Sequence, residues 1–247
     1  MQLQVVMPIG GIGSRFSKVG IKTPKPLIDV LGKPMFLRAI QSVEALGFEA
    51  TYIFVIRRDQ DEEHDLGATI RQHLSGAKIV VLKEESPGAS STVLAASSLL
   101  NPSLPLLVLD CDIAFKSDNY RQKITQAIAG AASGVLLSFR SKDPRYSFAK
   151  TDAEGFVTQT AEKSAISDHA LMGSYFFTRA EDFIDSAQSL NAIALSKSMP
   201  EYYMSLTFNF LISRGLKISL ATGFFYCFGT PEELSNFIQT QEPVSSS

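Results

Sequence analysis

Residues 104–110 read LPLLVLD, apolar at odd and even positions alike until the last residue. A strand without alternation must be covered on both faces, which is the condition of a parallel sheet held between two helical layers. The residues before it fit that condition. LQVVMPI, TYIFVIR and AKIVVLK read as further strands. Between them, KPMFLRAIQSVEALG predicts a helix with Pro34 in its first turn and Gly47 closing it. Residues 61–74 and SSTVLAASSLL predict two more. Strand and helix in alternation argue for a mostly parallel sheet with helices on both sides.

After residue 116 the pattern changes. GVLLSFR, SFAKTD, GFVTQTAE and LMGSYFFT follow at close intervals, as in an antiparallel addition. Helices are predicted near 180–190 and 201–213, then the strands KISLA and FFYCF. A last helix is predicted on TPEELSNFI, where Thr230 caps, Pro231 takes the first helical position and Glu233 completes a capping box. No repeat, low-complexity stretch or linker interrupts the chain. The expected fold is an α/β, three-layer, Rossmann-like sheet in one domain over 1–247.

The strand LQVVMPI ends in GGIGSRF, and TPKPL follows. Glycines at a strand end let backbone N–H groups approach an anion or a base edge, and Arg15 can fork onto phosphate oxygens. Two phosphate motifs are excluded. A P-loop needs Lys followed by Ser or Thr, where this chain has Arg15 and Phe16. The dinucleotide fingerprint needs a third glycine at Phe16. Pro24 and Pro26 restrict the backbone on both sides of Lys25, which suits an ammonium aimed at a charged ligand. The strand LPLLVLD ends in Asp110 and Asp112. Residues two apart point the same way, and ligands of open parallel sheets sit at that edge. Two such carboxylates can hold a hard divalent cation together with substrate phosphates. A turn-forming aspartate pair would read the same.

Formal net charge is −2, without the basic footprint of a nucleic-acid binder. Two cysteines and three histidines make neither a disulfide framework nor a zinc spacing. The first residues lack a signal-peptide pattern, and no run approaches the roughly 18 apolar residues of a membrane span. A cytoplasmic protein without membrane or nucleic-acid partners is expected. The oligomeric state stays open, a homo-oligomer included.

With these motifs in place, the chain resembles the sugar-phosphate nucleotidyltransferase family over nearly its whole length. GGIGSRF with KTPKPLIDVLGKPM matches the family's N-terminal signature; SPGASSTVL, LDCDIAF, AEKSAISDHALMGSYFF and FGTPEELSNF match its later segments. The resemblance implies a GT-A-like fold, with a nucleotide-binding half near 1–115 and an acceptor-binding half near 116–240. It implies transfer of a nucleotidyl group from an NTP to a phosphorylated sugar or similar acceptor, with release of pyrophosphate, for nucleotide-sugar or surface polysaccharide synthesis. It further implies that Gly10, Gly11, Gly13, Ser14 and Gly88 contact the nucleotide, that Arg15 steadies the triphosphate, and that Lys25 lies on the reacting phosphates. Asp112 would bind Mg²⁺, Glu162 and Gly173 the acceptor, and Lys163 the acceptor's phosphate. One position departs from the family. Many members carry a metal-sharing aspartate where this chain has Cys227, so Asp110 is expected to supply a second carboxylate.

Tyr146, Ser147, Tyr175, Phe176 and Tyr202 are candidate pocket residues, although core packing explains each singly. His64, His73 and His169 are expected to be surface or loop residues. Two rival readings remain at this level. The Asp-x-Asp form of DCD also suits a metal-dependent glycosyltransferase using a nucleotide sugar, and Cys227 suits a non-catalytic nucleotide-sugar-binding relative.

Overall fold

The computed structural model describes residues 2–11 and 13–241; the side chains of Ser14 and Gln241 lie outside the description. The strands are β1 Gln2–Pro8, β2 Glu49–Arg57, β3 Lys78–Leu82, β4 Leu106–Leu109, β5 Ile113–Lys116, β6 Gly134–Arg140, β7 Ser147–Thr151, β8 Val157–Glu162, β9 His169–Phe177, β10 Ile218–Thr222 and β11 Phe224–Cys227. The helices are α1 Ser14–Ser17, α2 Met35–Glu44, α3 Arg58–His64, α4 Leu66–His73, α5 Ala89–Leu94, α6 Tyr120–Gln126, α7 Ala180–Asn191, α8 Met204–Ser213 and α9 Pro231–Gln241.

The main sheet runs β10-β6-β9-β4-β1-β2-β3, with the β7–β8 hairpin attached at β9. β1, β2, β3 and β4 are parallel, as are β6 and β10. β9 is antiparallel to both β4 and β6, so the late strands are inserted into the sheet. Because β1 is apolar on both faces, its residues divide between two cores. Leu3, Val5 and Met7 pack with Phe36, Ile40, Ile70, Tyr120 and Ile124 from α2, α4 and α6. Val6 and Val108 pack on the opposite face with Val93, Phe183, Phe208 and Leu211 from α5, α7 and α8. The three expected layers are therefore present, each face removing large apolar side chains from water.

Several elements differ from expectation. The helix predicted over 61–74 is two helices, α3 and α4. Asp65 takes the left-handed conformation (φ 49°), and the Gly67 amide donates to Asp61 Oδ1 at 2.7 Å, which restarts the hydrogen-bond ladder. SSTVLAASSLL is helical only to Leu94, followed by a 3₁₀ turn at Ser97–Leu99. The helix expected at 201–213 starts at Met204, because Tyr202 N donates to Pro87 O (2.8 Å) and Tyr202 O accepts from Ser90 N (3.0 Å). β5 and α6 were not foreseen. β5 is only four residues long, but Tyr120, Ile124 and Ala127 carry a helical spacing that could have revealed α6. β11 leaves the main sheet and pairs antiparallel with β5.

Candidate active site

The glycine turn closes the carboxyl end of β1. Gly13 has φ 64°, and a Cβ there would lie 3.3 Å from Lys25 Cβ, so the turn and the Pro24–Pro26 segment pack tightly. That segment forms the 3₁₀ turn Lys25–Leu27, closed by Leu27 N donating to Pro24 O at 2.8 Å, with Pro26 buried. Lys25 is thereby aimed at Asp112, with Nζ 2.5 Å from Oδ2, and the two side chains are 22% and 21% exposed. Burial works to raise Asp112, but the charge and hydrogen bond of Lys25 outweigh it and hold the carboxyl below its usual range. Burial works to lower Lys25, and Asp112 reverses it, so the ammonium is held more firmly protonated than usual.

Asp110 lies at the same strand end, against β9. Its amide donates to Gly173 O at 2.9 Å. Gly173 has φ 87°, and a Cβ there would fall 2.4 Å from Asp110 Oδ2, so only glycine admits this approach. Burial first, then the Asp112 charge, push the Asp110 carboxyl up to about 8.

Three adjoining cavities meet at Asp110. The first, about 600 Å³, is bordered by Gly10, Gly11, Gly88 and Glu201. Gly88 (φ 135°) is pressed on the Tyr202 backbone, where a Cβ would lie 2.5 Å from Tyr202 N. The second, about 250 Å³, is lined by Gly11, Gly13, Lys25 and Asp112. The third, about 240 Å³, is lined by Arg15, Asp112, Glu162, Gly173 and a set of hydroxyl-bearing side chains, Tyr146, Ser147, Tyr175 and Tyr203. Glu162 Oε2 accepts from Ser147 Oγ and, at 3.1 Å, from Ser205 Oγ; burial raises its carboxyl.

The structure thus gathers Gly10, Gly11, Gly13, Arg15, Lys25, Gly88, Asp110, Asp112, Glu162 and Gly173 around one corner. The side chain of Ser14 lies outside the described residues. Lys163 borders none of the three cavities. It has φ 52°, and its ammonium donates to Tyr203 Oη at 2.9 Å and sits over that ring. Phe176 belongs to the core, and Tyr202 turns its hydroxyl to Ile193 O at 2.7 Å.

Sequence reasoning missed Arg145 and assigned Glu233 only to a helix cap. Both line the third cavity, joined at 2.7 Å between Arg145 Nη1 and Glu233 Oε1. The cap itself forms, as Glu233 N donates to Thr230 Oγ1 at 3.1 Å. The carboxylate does not fold back; Oε2 instead accepts from Cys227 Sγ at 3.3 Å. Gln60 was also missed; from α3 it donates to Gly11 O at 3.1 Å and supports the glycine turn. Among the described residues no three side chains of metal-binding type form a group, and no helix is long and apolar enough to cross a membrane.

A family model described as nucleotidyl transferase matches residues 4–203. The chain is similar to the mannose-1-phosphate guanylyltransferase catalytic subunit beta of Drosophila pseudoobscura pseudoobscura, at 25% identity over 178 residues, 68% of this chain and 46% of that protein. It is similar to the bifunctional protein GlmU of Syntrophomonas wolfei, at 25% identity over 214 residues, 83% of this chain and 44% of that protein. The chain therefore spans about half the length of the curated relatives it matches. A solved structure, the nucleoside-diphosphate-sugar pyrophosphorylase from Vibrio cholerae RC9, is similar at a TM-score of 0.80 and 26% identity, covering 95% of this chain and 99% of that one.

Proposed function

The chain belongs to the nucleotidyl transferase family, and on that premise we propose that it transfers a nucleoside monophosphate from an NTP to a sugar phosphate or similar phosphorylated acceptor, releasing pyrophosphate. The observation that carries this reading is the convergence of three cavities on the strand end bearing Asp110 and Asp112, with Lys25 fixed on Asp112. The glycine-bordered cavity would take the nucleoside, the Lys25 cavity the phosphates, and the hydroxyl-lined cavity the acceptor.

A phosphate oxygen of the acceptor would attack the α-phosphorus in line, and the bond to the departing pyrophosphate would break with its electron pair. An acceptor phosphate is largely ionised near neutral pH, so no general base is needed. Two anions must meet, and the residues contribute positioning and charge. Lys25 would lie on the reacting phosphates, Arg15 on the triphosphate, and Glu162 on acceptor hydroxyls. Lys163 would leave Tyr203 for the acceptor's phosphate.

Divalent metal ions are general in this family, and the donor set fits one. Asp112 is held ionised by Lys25, and Gly229 keeps the space beside it free of a side chain. Asp112 would hold Mg²⁺, which supplies charge neutralisation at the phosphates when bound. A reaction fed by nucleoside triphosphates fits a cytoplasmic setting.

The test is a matrix of four NTPs against phosphorylated sugars and alcohols, read by pyrophosphate release with Mg²⁺ present. Release that requires both substrates is expected. Nucleotide binding without release for any pair would turn the reading toward a non-catalytic relative.

A further inference from the structure

Glu233 has no part in the reaction as described above, yet its carboxylate enters the cavity that holds Asp112. Gly229 sets the scale there. A Cβ there would lie 3.0 Å from Asp112 Oδ2, 3.3 Å from Glu233 Oε2 and 3.3 Å from Cys227 Sγ. Two carboxylate oxygens on different elements therefore face each other across a glycine, separated by no more than the sum of those two distances. A Mg²⁺ ion with oxygens at 2.0–2.1 Å places opposite ligands about 4 Å apart, within reach of a side-chain rotation of Glu233.

The local folding explains how Glu233 arrives. β11 pairs Cys227 with Ile113, next to Asp112, and Phe228 N donates to Asp112 O at 2.7 Å. The chain then turns at Gly229 into α9, capped by Thr230 through the backbone of Glu233, so the carboxylate is free of the cap. Arg145 can release it. That guanidinium also pairs with Asp143 at 3.0 Å and stacks over the Tyr146 ring at 4.7 Å. Cys227 is a poor ligand for a hard cation. Its thiol instead donates to Glu233 Oε2 at 3.3 Å. Asp110, by contrast, is pressed against Gly173, where a Cβ would fall 2.4 Å from its Oδ2.

We propose that Glu233, steered by the Cys227 thiol, is the second carboxylate ligand beside Asp112 for the divalent cation of this site. The proposal rests on the reading of the site as one for metal-assisted nucleotidyl transfer. It assigns to α9 a ligand that the sequence expectation placed at Asp110.

The test titrates Mn²⁺ into the full chain with inorganic pyrophosphate present, following the free Mn²⁺ signal by electron paramagnetic resonance. Glu233→Gln is expected to weaken Mn²⁺ binding roughly tenfold or more. Glu233→Asp, which keeps the charge one methylene short, should give an intermediate affinity and guards against a folding defect in the first variant. Arg145→Gln should leave the affinity unchanged or tighten it, because it frees the carboxylate. Wild-type affinity in Glu233→Gln overturns the assignment. So does equal weakening in Arg145→Gln and Glu233→Gln, which would mean that Glu233 acts only through the bridge. A loss in Asp110→Asn with none in Glu233→Gln returns the second ligand to Asp110. If the wild-type chain takes up no Mn²⁺ with pyrophosphate, the metal-assisted reading itself falls.

Discussion

Lys25 owes its position to its neighbours. Pro24 and Pro26 limit the backbone, Gly13 admits the approach of its Cβ, and Asp112 anchors its ammonium. Replacing it with alanine is expected to lower turnover about a hundredfold or more, the effect of losing one preorganised charge-stabilising group. Pyrophosphate release measures this, and near wild-type turnover would contradict the assignment. The glycines, the Pro-Lys-Pro segment and the Asp110–Asp112 pair were legible in the sequence because each is a local pattern with its own physical reason. Arg145 and Glu233 were not. Their meeting depends on the β7–β8 hairpin and the β5–β11 ribbon bringing together residues far apart in the chain, and no local pattern announces it. Glu233 was misread for a related reason: spacing alone says that it can cap a helix, but not that its carboxylate has a stronger partner in Arg145.

At the scale of elements, α9 is fixed by its cap and by a small satellite core. Leu234 packs there with Phe16, Met35 and Phe228, and Phe237 meets Phe228 edge-on. Thr230→Ala removes the hydroxyl that accepts from Glu233 N and should cost about 1 kcal/mol of stability, within roughly 0.5–2. Urea denaturation with an unchanged slope would measure it, and no shift in midpoint would show that the cap is dispensable. The main-sheet strands were legible because their apolar runs are long or end in turn residues. Helix boundaries were less so. Asp61 caps α4 from the preceding helix, and Tyr202 is drawn into extended bonds with Pro87 and Ser90. The first is a local side-chain bond six residues apart and the second a tertiary one, and both override helix propensity.

For the whole molecule, the alternating pattern before residue 116 was enough to indicate three layers, since parallel strands need crossovers and cover. The place of β9 was not legible; an antiparallel strand between β4 and β6 follows from which edges remain unpaired, not from its own residues. Its position makes the two halves interdependent. β4 takes one ladder from β1 and the other from β9, and Val6 and Val93 share their core with Phe177, Phe183 and Phe208. A fragment of residues 1–115 should therefore fail to fold cooperatively, giving poor amide dispersion by NMR and no sharp thermal transition. A well-folded fragment would show that the halves are separate units. The Tyr202 peptide has a further consequence. It is bonded to Pro87 and Ser90 beside the cavity proposed for the nucleoside, while the next residues, Tyr203 and Met204, line the cavity proposed for the acceptor. Occupancy of one chamber will press on the wall of the other, so the enzyme should be kinetically synergistic. The Michaelis constant for each substrate should fall as its partner saturates, and initial-velocity lines that show two independent constants would deny the link.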